Sequence, residues 1–308
     1  MNQDQITTVV FDLVIAVIVF GLPWRLLALA RRKIWPKAGG WSRWTGFALG
    51  LAVWLVVVYG AFVEPRLLVV RRHEIDLHSA GASDSGRQLT VAYVSDTHFG
   101  FYKGKGWAER LVTRVNSLSP DAVVFGGDFV SDEAGLAVLP ALREIKAPLG
   151  KYAVLGNWDY HIGAVDVRQT LGSQGVKTLV NRAADMDGLW LVGVDDLIFG
   201  SPDWGKARAG VPEGAPWVAA VHEPVGAAWA SHFGAGLALA GHTHGGQVRL
   251  PLVGSVSFFD PGWLGRAYDW GLLRFDGVPL LVSAGVGESG PRARLLVPPE
   301  IVLVTIRY

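Results

Sequence analysis

This sequence predicts a layered α/β domain behind an apolar N-terminal region, and three observations carry that prediction. From residue 64 onward, short β-branched runs alternate with helical stretches. Residues 44–63, WTGFALGLAVWLVVVYGAFV, carry no charge at all. Several of the apolar runs end in the same few residue types, Gly, Asp, Asn and His. The chain has 308 residues, of which 50% are hydrophobic and only 18% charged, so disorder is excluded and a core of domain size can be buried. The absence of cysteine excludes a disulfide scaffold, a thiolate zinc site and a thiol nucleophile. A net charge of +1 gives no electrostatic reason to expect nucleic acid as partner.

At the N-terminal end, Trp44–Val63 is closed by Glu64-Pro65-Arg66. About twenty residues at 1.5 Å each cross roughly 30 Å of hydrocarbon, which suits one helical span. An earlier stretch, about Val9 to Ala30, is interrupted by Asp12, Pro23 and Arg25 and reads as a second span or as an interfacial helix. No Lys or Arg precedes it, which disfavours a cleaved signal peptide. Arg31, Arg32, Lys33, Lys37 and Arg43 lie between the two stretches, and the positive-inside bias puts that link in the cytoplasm. With two spans in the inner (cell) membrane, everything after residue 64 is then extracytoplasmic. With an interfacial first helix it is cytoplasmic, and Arg66, Arg71 and Arg72 pull in that direction. The expected division is a membrane anchor over 1–65, a lead-in and linker over 66–88 containing SAGASDSG (Ser79–Gly86), and one domain over 89–308.

In that domain the strands are expected at Leu89–Ser95, Ala122–Phe125, Tyr152–Leu155, Leu189–Val194, Trp217–Val221, Leu237–Ala240, Leu280–Ser283 and Ile301–Ile306. Their continuous apolar character suits strands buried on both faces. Helices are expected at Trp107–Leu118, Glu133–Ile145, Val165–Leu171 and Val225–His232, packed on the sheet.

The residues just past five of these strands carry the chemistry. In order, the blocks are Ser95-Asp96-Thr97-His98, Gly126-Gly127-Asp128, Gly156-Asn157-Trp158-Asp159, His222-Glu223-Pro224 and Gly241-His242-Thr243-His244-Gly245-Gly246-Gln247. Ligands bind at the carboxyl ends of strands in open α/β sheets, so these turns should converge on one edge. Imidazole and carboxylate together suit Mn, Zn or Fe better than Ca or Mg. An Asp on a tight turn can bridge two metals with its two oxygens, and a neutral Asn leaves the pair of cations under-compensated. Two carboxylates against two divalent ions leave positive charge for phosphate oxygens. Taken singly, each block has an ordinary explanation, a capped turn or a hydrogen-bonded core histidine. Their occurrence in order, each after a strand, is what makes the set specific.

The blocks resemble the calcineurin-like metallophosphoesterase superfamily, whose pattern is D-x-H, G-D, G-N-H-D/E, H and G-H-x-H. The resemblance covers about residues 89–308 and is greatest to bacterial membrane-associated phosphodiesterases, at Gly241–Pro251 and in the tail Pro298-Pro299-Glu300-Ile301. It implies a four-layer α-β-β-α sandwich with a dinuclear site at one edge. By motif, Asp96, His98, Asp128 and His244 hold the first metal, while Asp128 bridges to a second completed by Asn157, His222 and His242. Asp96, Asp128, Asn157 and His242 then serve catalysis through the metals, as hydroxide activated there attacks phosphorus in line.

One position departs from the pattern. Trp158 replaces the imidazole that in relatives is thought to protonate the leaving group, and an indole cannot act as an acid. The implied outcomes are a substrate with a good leaving group, such as a pyrophosphate, rescue by His161, or a metal-binding scaffold or sensor with impaired turnover. Hydrolases of UDP-2,3-diacylglucosamine in lipid A biosynthesis, similar enzymes of the superfamily, carry Arg there. With the anchor, this points to a lipid-linked phosphate ester as substrate, or to a general extracytoplasmic phosphodiesterase if the domain faces outward. Asp195-Asp196 reads either as a substrate contact or as a turn cap. Trp107, Trp158, Trp204, Trp229, Trp263 and Trp270 read either as the lining of a lipid channel or as core and cap residues.

Overall fold

A computed structural model describes residues 3–31, 40–77, 86–256 and 264–308. Most of the expected linker, Trp263 and much of the basic link between the two apolar stretches lie outside the described residues.

The chain opens with helices α1 (Gln3–Ala16), α2 (Leu22–Ala30) and α3 (Gly40–Val58). A π-helical turn, Val17–Gly21, joins the first two, and a second, Tyr59–Val63, extends the third. Val9–Ala28 and Trp44–Arg66 are both long and apolar enough to cross a membrane. Pro23 has no N–H to return to the Val19 carbonyl four residues earlier. The Trp54 indole N–H of α3 donates to that carbonyl at 3.1 Å instead. Gly50 permits the close crossing, since a Cβ there would fall 2.6 Å from Leu26 Cδ2.

Strands β1 (Val69–Asp76), β2 (Gln88–Val94), β3 (Ala122–Phe125), β4 (Lys151–Ala153) and β5 (Val176–Thr178) belong to one sheet. Strands β6 (Arg182–Met186), β7 (Leu189–Gly193), β8 (Trp217–Ala220) and β9 (Leu237–Ala240) belong to another. A short ladder pairs β10 (Arg249–Leu250) with β11 (Gly254–Ser255). Strands β12 (Gly271–Phe275) and β13 (Val278–Val282) complete the second sheet, and β14 (Glu300–Arg307) returns to the first. The first sheet runs β1-β14-β2-β3-β4-β5 and the second β12-β13-β9-β8-β7-β6.

Side-chain alternation builds the layers. Val91, Tyr93 and Val124 of the first sheet meet Val218, Ala220, Leu237 and Leu239 of the second in a core between the sheets. The residues between them, Ala92, Val94, Val123 and Phe125, face outward under α4 (Lys105–Ser117), which contributes Trp107, Leu111 and Val115. On the far side, Trp217, Ala219 and Ala238 pack under the later helices with Trp204 and Ala230. The fold is therefore a four-layer α-β-β-α sandwich, preceded by two apolar helices.

Some local expectations change. Glu133–Ile145 is not one α-helix but two 3-10 helices, Glu133–Ala137 and Leu139–Glu144, because Pro140 cannot donate within a longer helix and Asp132 caps the first turn at Gly135 N. The lead-in holds a strand missed in the sequence: β1 pairs in parallel with β14 at the sheet edge, where Arg71 bonds Glu300 at 2.7 Å. Its charges hid it from an apolar pattern. Among the described residues, the tryptophans do not form one channel: Trp107 and Trp204 sit in separate cores, and Trp229 is exposed.

Candidate metal centre

All five blocks follow the carboxyl ends of parallel strands, β2, β3 and β4 in one sheet and β8 and β9 in the other. The sandwich therefore brings them to one edge. Asp96, His98, Asp128, His242 and His244 all have φ between +41° and +69°. Left-handed backbone is uncommon outside glycine and costs of order 1 kcal/mol or more per residue, so each of these turns holds its ligand-type side chain on strained backbone. The turns also interlock closely. A Cβ on Gly156 would lie 2.4 Å from Asp128 Oδ1 and 2.7 Å from the backbone nitrogen of Asp128.

Two groups of ligand-type side chains result, Asp96, His98 and His244 in one and Asp128, His222 and His242 in the other, all buried. His98 Nε2 stands 3.1 Å from His244 Nε2, and His244 Nε2 stands 3.6 Å from Asp96 Oδ1. His222 Nε2 lies 3.2 Å from Asp128 Oδ2 and 3.2 Å from His242 Nδ1. Asn157 Oδ1, at the start of α5 (Asn157–Ile162), is 3.0 Å from His242 Nδ1. Asp128 Oδ2 is also 3.5 Å from His98 Nε2, so it faces both groups. Its other oxygen, Oδ1, accepts the Trp158 backbone N–H at 2.8 Å.

The ring orientations are set from behind. His222 Nδ1–H donates to the Gly126 carbonyl at 2.6 Å. The Ser131 hydroxyl, which donates to the His98 carbonyl, accepts from His98 Nδ1–H at 3.1 Å. With Nδ1 held from behind, each of these rings turns its Nε2 toward the cluster. Lone pairs and carboxylate oxygens facing one another at hydrogen-bond distance need cations between them, and this donor set fits two divalent metal ions. Ser131 escaped the sequence reading because a serine in a loop carries no signal of which ring it will meet.

Burial pushes the Asp96 carboxyl up to about 6, with nearby Asp128 adding to it and His222 opposing. Burial acts upward on Asp128 as well, yet His222, His98 and His242 hold it well below the usual carboxylate range. Burial lowers His98 to about 4 and takes His244 well below its ordinary value. Burial would lower His222 too, but Asp128 outweighs it and raises the ring well above its ordinary value. The direction of this shift favours a proton on His222 in metal-free protein, which metal binding displaces. Metal uptake by chelator-stripped protein is expected to release about one proton per chain near pH 7 and to weaken as pH falls, since protonated imidazole competes with the metal. Calorimetry in buffers of different ionisation enthalpy reads this directly; uptake that releases no proton would contradict the assignment of His222.

The residues around the centre are mostly braces. Asp159 accepts from Phe129 N at 2.8 Å and Gly156 N at 3.0 Å, tying two of the turns together; burial, with Asp128, raises it to about 7. Asp195 accepts from Asp196 N and Ser201 N, and Asp196 from Ile198 N and Phe199 N, so this pair caps a turn. Burial and Asp196 raise Glu223 to about 9 against the pull of His222. Trp158 is half-buried, with its ring edge-on to His98 at 5.8 Å between centroids. His161 stacks edge-on against Trp158 at 5.9 Å, is exposed, and is not brought into either group.

Comparison with known proteins agrees with this geometry. Residues 89–246 match the family model described as calcineurin-like phosphoesterase, a span that contains every side chain of both groups. The chain is 27% identical over 259 residues to the uncharacterized metallophosphoesterase YkuE of Bacillus subtilis, covering 81% of this chain and 89% of that one. It is 27% identical over 259 residues to the phosphodiesterase YaeI of Escherichia coli, covering 80% and 92%. A transmembrane protein with metallophosphoesterase domain from Danio rerio is 29% identical over 306 residues, covering 92% of this chain and 67% of its own. With two metal-binding groups at the strand ends and a matched span of half the chain, this protein belongs to the calcineurin-like phosphoesterase family and is a metal-dependent phosphoester hydrolase.

Proposed function

We propose that the chain is a membrane-anchored hydrolase of phosphodiester or pyrophosphate bonds whose leaving group departs without protonation, acting on a lipid-linked substrate. Residues 1–65 are the anchor, 66–88 the lead-in, whose strand β1 joins the first sheet, and 89–308 the rest of the catalytic domain. Asp96, His98, His244 and Asp128 hold one metal, and Asp128, Asn157, His222 and His242 the other. When bound, the two divalent ions supply Lewis-acid polarisation of the phosphoryl oxygens and a nucleophile at neutral pH.

The protein's own contribution is placement. Asp128 Oδ2 sets the spacing of the two groups, Gly126 and Ser131 fix ring tautomers, and Asp159 holds the turns in register. The observation that carries the substrate reading is Trp158, which stands beside His98 where an acid would be needed for a poor leaving group. A pyrophosphate or an activated diester needs little such help. UDP-2,3-diacylglucosamine combines a pyrophosphate with acyl chains and is the most concrete candidate. It requires a cytoplasmic domain. A hairpin with its basic link in the cytoplasm places the domain outside and favours extracytoplasmic phosphodiesters or lipid phosphates. A reporter fused to the C-terminus distinguishes these.

Trp158→His is expected to leave metal content unchanged and to raise turnover of a phosphodiester with a poor leaving group by at least about tenfold, since a positioned acid typically contributes about 10²-fold or more. Turnover of an aryl phosphodiester with Mn²⁺ serves as the reference. A fall on every substrate would show that the indole is part of the binding surface. Absence of metal-stimulated turnover in the parent protein would favour the scaffold reading.

A further inference from the structure

A second polar pocket, of about 240 Å³, lies where α3 and its extension meet the globular body. Arg66, Lys103, Lys105, Arg110 and Arg292 line it, with Glu288 the single carboxylate. That carboxylate is already matched by Lys103 at 3.2 Å and by buried Arg294 at 3.3 Å. Arg292 is held by Asp12 of α1 at 2.7 Å, while Arg66, bonded to the Phe62 carbonyl, and Arg110, over the Trp107 ring, have no carboxylate partner among the described residues. The first turn of α4 borders the pocket through Gly104, Lys105 and Gly106, with no side-chain cap and no acidic residue in that turn. Trp107 also lines it, is 6% exposed, and its indole N–H has no acceptor among the described residues. Cations without carboxylate partners, an uncapped helix start and an unpaired buried donor all ask for an anion with several oxygens.

The position of the pocket identifies the carrier. Arg66 ends the second apolar helix, and Asp12, bonded by Arg292 and by the Tyr102 hydroxyl at 2.7 Å each, belongs to the first. Both contacts lie at one end of the helix pair, the end that meets the body.

We propose that this pocket binds the phosphate of an anionic phospholipid and so seats the globular body on the bilayer surface. The inference rests on the membrane reading of the two helices and does not depend on hydrolysis. Within it, Glu288 holds Lys103 at the pocket wall, and Arg292 joins the pocket to α1.

The test uses the full chain in detergent, equilibrated with phosphatidylglycerol or with phosphatidylcholine, and read by native mass spectrometry. The wild type is expected to retain phosphatidylglycerol preferentially. The double variant Arg66→Gln, Arg110→Gln is expected to lose that retention by at least about tenfold, as removal of two basic contacts near a lipid surface implies. Arg66→Lys with Arg110→Lys should retain most of it, and Arg168→Gln, a surface arginine elsewhere, should change nothing. Metal content is read in parallel, so that a misfolded variant is recognised and a failure of the hydrolase reading is seen separately. Equal retention of phosphatidylglycerol by the double glutamine variant would overturn the proposal. So would stabilisation of the wild type by inorganic phosphate without preferential phosphatidylglycerol binding, which would make the ligand a soluble phosphate.

Discussion

Asp128→Ala is expected to remove both metals and to lower metal-dependent turnover by at least about 10³-fold. The size follows from the several kcal/mol that two metal ions contribute to stabilising charge on a phosphoryl group, at about 1.4 kcal/mol per tenfold. One oxygen of Asp128, Oδ2, lies 3.2 Å from His222 Nε2 and 3.5 Å from His98 Nε2, so it faces a ring of each group. Its other oxygen anchors the turn that carries Asn157. Loss of the side chain therefore removes the shared donor and loosens the second group together. Elemental analysis of the purified variant with a turnover assay checks both halves. A variant that kept both metals would show that the two groups do not need a common ligand.

His242→Ala should act on one side only. The ring nitrogen Nδ1 lies 3.0 Å from Asn157 Oδ1 and 3.2 Å from His222 Nε2, within the second group. The residue's backbone N–H, which the substitution leaves in place, donates to the Asp96 carboxylate at 3.0 Å. The expected result is loss of the second metal with the first retained, and at least about a 10²-fold fall in turnover, beyond the range typical of losing an outer hydrogen-bond partner. Metal content falling from two to one per chain is the readout that distinguishes this from general unfolding. Near wild-type activity would contradict the assignment.

How much of the molecule is legible in the sequence depends on the range of the interaction. Strands β3 and β9 coincide with apolar runs, and α4 and α6 (Ala164–Ser173) with helical spacing, because period and burial are local properties. The convergence of the turns is readable too, since parallel strands deliver their carboxyl ends to one edge. Which Asp128 oxygen faces both groups is not, because it depends on which backbone N–H reaches Asp128 Oδ1. Nor is the role of Asp12, which in the sequence only interrupts an apolar stretch and in the fold is bonded to Arg292 across 280 residues. Strand β1 is hidden for a third reason: at a sheet edge, polar residues such as Arg71 and Glu74 are tolerated, so the pattern of a buried strand is missing.

Side chains from five turns are expected to enclose two cations that share Asp128. Anomalous diffraction from crystals of the Mn²⁺-loaded protein, recorded near the manganese edge, tests this most directly. Two peaks, one among Asp96, His98 and His244 and the other among Asn157, His222 and His242, with Asp128 Oδ2 between them, are the expected result. A single peak, or density away from these side chains, would contradict it.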